Sequence, residues 1–158
     1  AYQVTGVFSA SIMDMYAETL RLLGLKRGMV VHSRDHMDEI SICAPTDYRE
    51  ITAEGTILKG TVDPESFGIT GFAPDDLTGG NAAENATMFR AVASGGTGAA
   101  TRRSRAISVA VALNAAAGLY VSGAAPSLQE GYAAACELLR SGAVGDLLGR
   151  LTISSEGS

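Results

Sequence analysis

The sequence predicts an α/β fold: a partial parallel sheet with a βαβ unit, a small antiparallel excursion and a helical carboxyl-terminal half. Three observations predict it. Met29, Val30 and Val31 form a continuously apolar run of the kind a doubly covered parallel strand shows. Alternating apolar residues flank a turn at Glu54 and Gly55. Beyond residue 80, helix caps and helical periodicity replace strand patterns.

The elements follow in order. Val4, Gly6, Val7 and Phe8 form a short apolar run that reads as the first strand. Ser9 and Ser11 offer caps to a helix carrying Ile12, Tyr16, Leu20 and Leu23 at helical spacing, and Gly24 stops it. Residues 28–32 are the second strand, and the three pieces make a βαβ unit. Such crossovers are right-handed and put ligands at the carboxyl ends of their strands, so the residues after Phe8 and Val31 are the ones to watch. From Glu39 the pattern alternates through Ile40 and Ile42, then residues 48–51 and 56–62 flank the turn, an antiparallel excursion. Asp63 and Pro64 open a short helical turn, and residues 68–80, rich in Gly, Pro and Asp, read as loop. Asn81 restarts helix with Glu84 as capping-box partner, running through Met88, Phe89 and Val92 to a stop at Gly95 and Gly96. A helix beginning near Ser104 and dominated by Ala over residues 106–121 should be buried and closely packed, ending at Gly123. Ser127 and Glu130 head another helix to Gly142, residues 144–151 make a last short one, and residues 154–158 should fray.

At 158 residues the chain suits a single domain that buries roughly 68 to 70 % of its unfolded surface. With 46% apolar and 18% charged residues it lies in the globular range, and it is expected to fold as a soluble body. A formal charge of -5 repels phosphodiester backbones, and the one basic cluster, Arg102, Arg103 and Arg105, is too small to drive general nucleic-acid binding. Cys43 and Cys136 share no ligand spacing and sit in apolar surroundings, which reads as buried thiols in a reducing cytoplasm. The weakly polar stretch 106–121 contains Ser108 and Asn114 and falls short of the roughly 20 residues a membrane-spanning helix needs. The opening Ala1, Tyr2, Gln3, Val4 has no initiator methionine, basic flank or apolar h-region, so it reads as a cut end rather than a signal peptide.

Asp38 and Glu39 are adjacent carboxylates just beyond the second strand. Hard oxygen ligands suit magnesium, which takes one or two protein carboxylates, keeps waters and bridges to substrate phosphates. On the residues alone, solvated surface is the commoner state of an acidic dipeptide. The segment Asp75, Asp76, Leu77, Thr78, Gly79, Gly80, Asn81 could offer N–H groups to an anion, but with no apolar strand before it an ordinary loop with a helix cap is the better reading. His32 ends a strand and His36 lies in a loop, so they do not share a helical face, and a partly buried strand-end histidine is favoured over a metal ligand. The three arginines precede a helix, where positive charge opposes the dipole; a carboxylate or phosphate partner could compensate, but a solvated turn is the default reading. No Ser lies in a nucleophile elbow, and no catalytic or substrate-contacting residue is assigned.

Taken in order, Gln3-Val4-Thr5-Gly6-Val7-Phe8, Ala17-Glu18 with Leu22-Leu23-Gly24, and Val30-Val31-His32 followed by Asp38-Glu39-Ile40-Ser41 resemble anthranilate phosphoribosyltransferase. Pro45-Thr46, Phe67-Gly68, the Asp76 to Asn81 string with Glu84-Asn85-Ala86, and Leu113-Asn114-Ala115-Ala116 with Leu119-Tyr120-Val121 continue the likeness across nearly the whole chain. The resemblance implies the fold of a nucleoside phosphorylase/phosphoribosyltransferase-like catalytic domain and the transfer of phosphoribosyl from phosphoribosyl pyrophosphate to anthranilate in tryptophan biosynthesis. It implies magnesium as cofactor, with Asp38 and Glu39 as its ligands. It also implies that the family's helical amino-terminal domain, pyrophosphate loop and anthranilate-contacting segments precede the matched region. The chain is therefore expected to be the carboxyl-terminal portion of the α/β domain, residues 1–158, inactive alone. Where the family usually has Gly-Leu this chain has His36-Met37, so a backbone position that glycine serves freely is expected to be altered. Two other readings stand beside this one: a fragment like a pyrimidine nucleoside phosphorylase, and a non-enzymatic module that keeps the fold. No nucleic acid or membrane is expected as partner, and homo-oligomerisation or association through exposed apolar surface is.

Overall fold

A computed structural model describes residues 1–95 and 101–155, with side chains through 151. Strand β1 (Tyr2–Gly6), a 3-10 turn (Ala10–Ile12), helix α1 (Met13–Leu22) and strand β2 (Arg27–Ser33) form the expected βαβ unit, with β1 and β2 parallel and Gly6 opposite Val31. Phe8, expected in the strand, lies outside it and is 78% exposed. Val7 ends the run instead: it is buried, and its N–H donates to the Val31 carbonyl at 3.0 Å.

Helix α1 turns a different face inward from the one its longest residues suggest. Met13 and Ala17, four apart, are buried against Val30 and Ile51, with Ile12 and Leu20 partly covered. Tyr16 is half-exposed and Leu23 largely exposed. A small alanine at the contact lets the helix approach the sheet, which a tyrosine there would prevent.

Strands β3 (Thr46–Ile51) and β4 (Ile57–Val62) are the antiparallel pair read from the alternation. This excursion continues the same sheet: β3 pairs antiparallel with β2, giving one mixed four-stranded sheet in the order β1-β2-β3-β4. Ile40 and Ile42, expected to alternate as strand, are loop residues buried in the core beside the sheet.

Both faces of β2 are covered, as its apolar run requires. Val30 packs toward α1, while Met29 and Val31 face helix α3 (Arg102–Ser122) through its Ala106, Leu113, Ala117 and Val121. Helix α3 is 21 residues long, longer than the stretch read from sequence, and by length and composition it could cross a membrane. Here it is the central core helix, packed on β1 and β2 and against α4 (Leu128–Arg140). An added Cβ at Gly131 of α4 would stand 2.8 Å from the Ala116 carbonyl, so this contact is made backbone to backbone.

Ser9 caps the 3-10 turn Ala10–Ile12 rather than α1, whose N-cap is Ile12 with no side-chain bond, but the later caps fall where the sequence put them. Asp63 heads the 3-10 turn Pro64–Phe67, Asn81 and Glu84 form a capping box on α2 (Ala82–Ala93), and Ser127 accepts from the Glu130 N–H on α4. The loop 68–80 also contains a 3-10 turn, Pro74–Leu77. Helix α5 (Ala143–Ser155) runs past the expected Leu151. Gly96, expected as part of a helix stop, and residues 156–158, expected to fray, lie outside the described residues.

Candidate functional site

The carboxyl ends of β1 and β2 open onto a cleft of about 650 Å³ lined by Val4, Gly6, Val31, Met37, Asp38, Glu39, Leu77, Ile107, Ala110, Val111 and Asn114. Its walls are mostly apolar, and Asp38 and Glu39 are its acidic residues. Both are exposed, and neither is ion-paired among the described residues.

Loop 34–45 carries the pair and is held from within. The Ser33 N–H donates to the Met37 carbonyl at 2.9 Å, and the Arg34 N–H donates to the Pro45 carbonyl at 3.0 Å. Asp35 accepts from the Ser33 hydroxyl and, at 2.6 Å, from the Ser41 hydroxyl, so both its oxygens serve the loop. Ser41 Oγ in turn accepts from the Cys43 N–H at 2.9 Å, and the Ser41 N–H donates to Thr46 Oγ1 at 3.0 Å. Burial, and then the Asp35 and Asp76 carboxylates, push the Cys43 thiol above its usual range. It is therefore a poor nucleophile.

Neighbouring elements fix the loop from outside. His32 Nδ1 donates to the Val7 carbonyl at 2.8 Å, tying the ends of β1 and β2 together. Asn114 of α3 bonds both polar groups of the Ile40 backbone, accepting from its N–H at 2.9 Å and donating to its carbonyl at 2.9 Å. Gly6 lies so close to the loop that an added Cβ would collide with the Asp38 carbonyl oxygen. His36 has φ 69°, the left-handed region. The glycine-like backbone is thus kept there, carried by a histidine.

Two hard carboxylates, exposed at a strand-end cleft and without basic partners among the described residues, are a donor set that would suit magnesium. The described residues hold no group of three or more His, Cys, Asp or Glu arranged for a metal, so an all-protein cage is not what they offer. His32 and His36 are not brought into one: their ring centroids stand 6.4 Å apart, and His32 is buried on the Val7 carbonyl.

The Gly-rich segment is an ordinary capped helix start. The Gly80 N–H donates to Asn85 Oδ1 and the Asn81 N–H to Glu84 Oε2, each at 2.8 Å, so side chains already take the amides an anion would use. The arginines are not a solvated turn, the default reading: Arg102 Nε meets the Asp76 carboxylate at 2.8 and 2.9 Å, Arg102 also reaches the Gly71 carbonyl, and Arg103 reaches the Thr78 carbonyl. The N–H of Ala73, and then Arg102, hold the Asp76 carboxyl below its ordinary value. These bonds dock the turn bearing Leu77 against α3 at the cleft wall.

Sequence reasoning passed over Gly6, Asp35, Ser41 and Asn114 as site-building residues. Only Asn114 carried a readable signal, as a lone amide in an Ala-rich buried helix.

Residues 1–144 match the glycosyl transferase family, a/b domain. The anthranilate phosphoribosyltransferase of Rubrobacter xylanophilus is 43% identical over 141 residues, which are 89% of this chain and 39% of the relative. That of Thermomicrobium roseum is 41% identical over 156 residues, 98% of this chain and 43% of the relative. The chain thus spans about two fifths of the length of these relatives. Among solved structures, the anthranilate phosphoribosyltransferase of Thermus thermophilus superposes with a TM-score of 0.74 at 35% identity, covering 92% of this chain and 40% of that one. A Saccharomyces cerevisiae enzyme of the same name, in complex with phosphoribosyl pyrophosphate and magnesium, shares the fold with a TM-score of 0.78 at 21% identity, covering 90% of this chain and 40% of that one.

Proposed function

Since the chain belongs to the glycosyl transferase family through its a/b domain, we propose that it supplies the cation-binding part of an anthranilate phosphoribosyltransferase site. The reaction is transfer of phosphoribosyl from phosphoribosyl pyrophosphate to the amino group of anthranilate, a step of tryptophan biosynthesis. The observation that carries this reading is the placement of Asp38 and Glu39, exposed and without an ion pair among the described residues, on a strand-end cleft.

A diphosphate and two carboxylates repel one another, so the pair can meet such a donor only across a shared cation. Magnesium, when bound, neutralises charge on the departing pyrophosphate while the ribose becomes cationic. Asp38 and Glu39 supply hard oxygens.

In this reading the 158 residues are the carboxyl-terminal portion of the α/β domain of a cytoplasmic enzyme. Groups that contact the ribose and anthranilate come from the rest of the longer relatives. The chain by itself binds the cation and does not turn over, and it self-associates through exposed apolar surface.

Two assays test this. Incubated with phosphoribosyl pyrophosphate, magnesium and anthranilate, the chain is expected to form no product; steady turnover would overturn its inertness. Manganese titrated by electron paramagnetic resonance should bind the chain and not the double variant Asp38→Asn, Glu39→Gln. Equal binding by both would remove the acidic pair from the mechanism.

A further inference from the structure

Asn114 touches neither cleft carboxylate, yet its bonds fall on the peptide unit next to them. Its Oδ1 accepts from the Ile40 N–H at 2.9 Å. That N–H belongs to a planar unit that also contains the Cα of Glu39. Its Nδ2 donates to the Ile40 carbonyl at 2.9 Å and to the Ala110 carbonyl, one turn back on α3, at 3.0 Å. Two carbonyl acceptors on one side fix which end of the amide is nitrogen, and the Ala110 bond fixes the rotamer.

On the other side of Glu39, the Asp38 carbonyl rests against the bare Cα of Gly6, leaving no room even for a methyl group. That carbonyl belongs to the planar unit joining the Cα atoms of Asp38 and Glu39. Both peptide planes flanking Glu39 are therefore held, one by α3 and one by β1. What remains free is the rotation of the two carboxylate side chains.

We infer that Asn114 is a positioning residue for the acidic pair: its amide, acting as a substitute strand for Ile40, sets where Asp38 and Glu39 present their oxygens to a cation. This rests on the cation reading above and deepens it. A side chain that merely satisfied a buried backbone would stabilise the fold without being linked to the cation. A positioning residue must be linked, because a cation that prefers the clamped loop tightens the clamp by the same factor the clamp adds to its affinity.

The test uses the chain with Mn²⁺ or Mg²⁺ as the probe. Asn114→Leu keeps the volume and removes all three bonds. With far-UV circular dichroism unchanged, it is expected to weaken Mn²⁺ binding by about 10- to 100-fold, the usual effect of losing an outer partner of a metal ligand. Unchanged affinity in a folded Asn114→Leu, with binding abolished in Asp38→Asn, Glu39→Gln, overturns the positioning role and leaves the cation reading standing. Binding unaffected by the double carboxylate variant overturns both. Should Asn114→Leu not fold, hydrogen exchange of the wild type decides. Saturating Mg²⁺ is expected to slow exchange of the Ile40 amide and the Asn114 carboxamide together, and exchange indifferent to Mg²⁺ overturns the inference.

Discussion

His36 pays for the shape of the acidic loop. Its φ of 69° lies in the left-handed region, where a side chain crowds the following carbonyl at a cost of roughly 1 to 2 kcal/mol. Its N–H nevertheless donates to the Ser33 carbonyl at 2.9 Å, so the turn is closed. Replacing it by glycine removes the crowding, and about half of that gain is returned to the greater freedom of the unfolded chain. His36→Gly is expected to stabilise the protein by about 0.5 to 1 kcal/mol, read as a higher urea midpoint with unchanged slope. A lower midpoint would show that the imidazole makes a compensating contact.

Among the elements, the turn Pro74–Leu77 is secured to α3 by a charge pair whose pH dependence has a definite sign. The Asp76 carboxyl is depressed below its ordinary 3.8, by the Ala73 N–H first and Arg102 next. A depressed carboxyl contributes its full stabilisation above the unfolded value and loses it as pH falls through the lower folded value. The turn is therefore expected to stay docked at and above about pH 4 and to loosen below it, seen as faster exchange of the Ala73 amide after correction for the intrinsic pH dependence. Arg102→Gln should loosen it partially at neutral pH, because the Ala73 bond remains. Since Arg102 is exposed, the effect of the pair should also shrink at high salt.

At the scale of the whole molecule, β1 and β4 each pair on one side only among the described residues, and Phe8, Leu22 and Leu23 are more than 70% exposed. Open edges and bare apolar side chains favour association with another surface. In sedimentation velocity the weight-average coefficient is expected to rise with concentration, and a concentration-independent monomer would contradict self-association.

By itself the sequence determined the βαβ unit, the antiparallel pair, the helix caps at Asp63, Asn81 and Ser127, and the strand-end place of Asp38 and Glu39. Each of these is written in local signals: apolar period, a side-chain oxygen before a helix, a turn between alternating runs. Only the tertiary structure decided that β3 joins β2 in one sheet, that Ala17 rather than Tyr16 meets that sheet, and that Asn114 grips Ile40 across 74 positions of chain. Such pairings are contacts between distant residues, settled by which surfaces can approach closely and which buried backbone groups would otherwise lack a partner, and no local pattern records either.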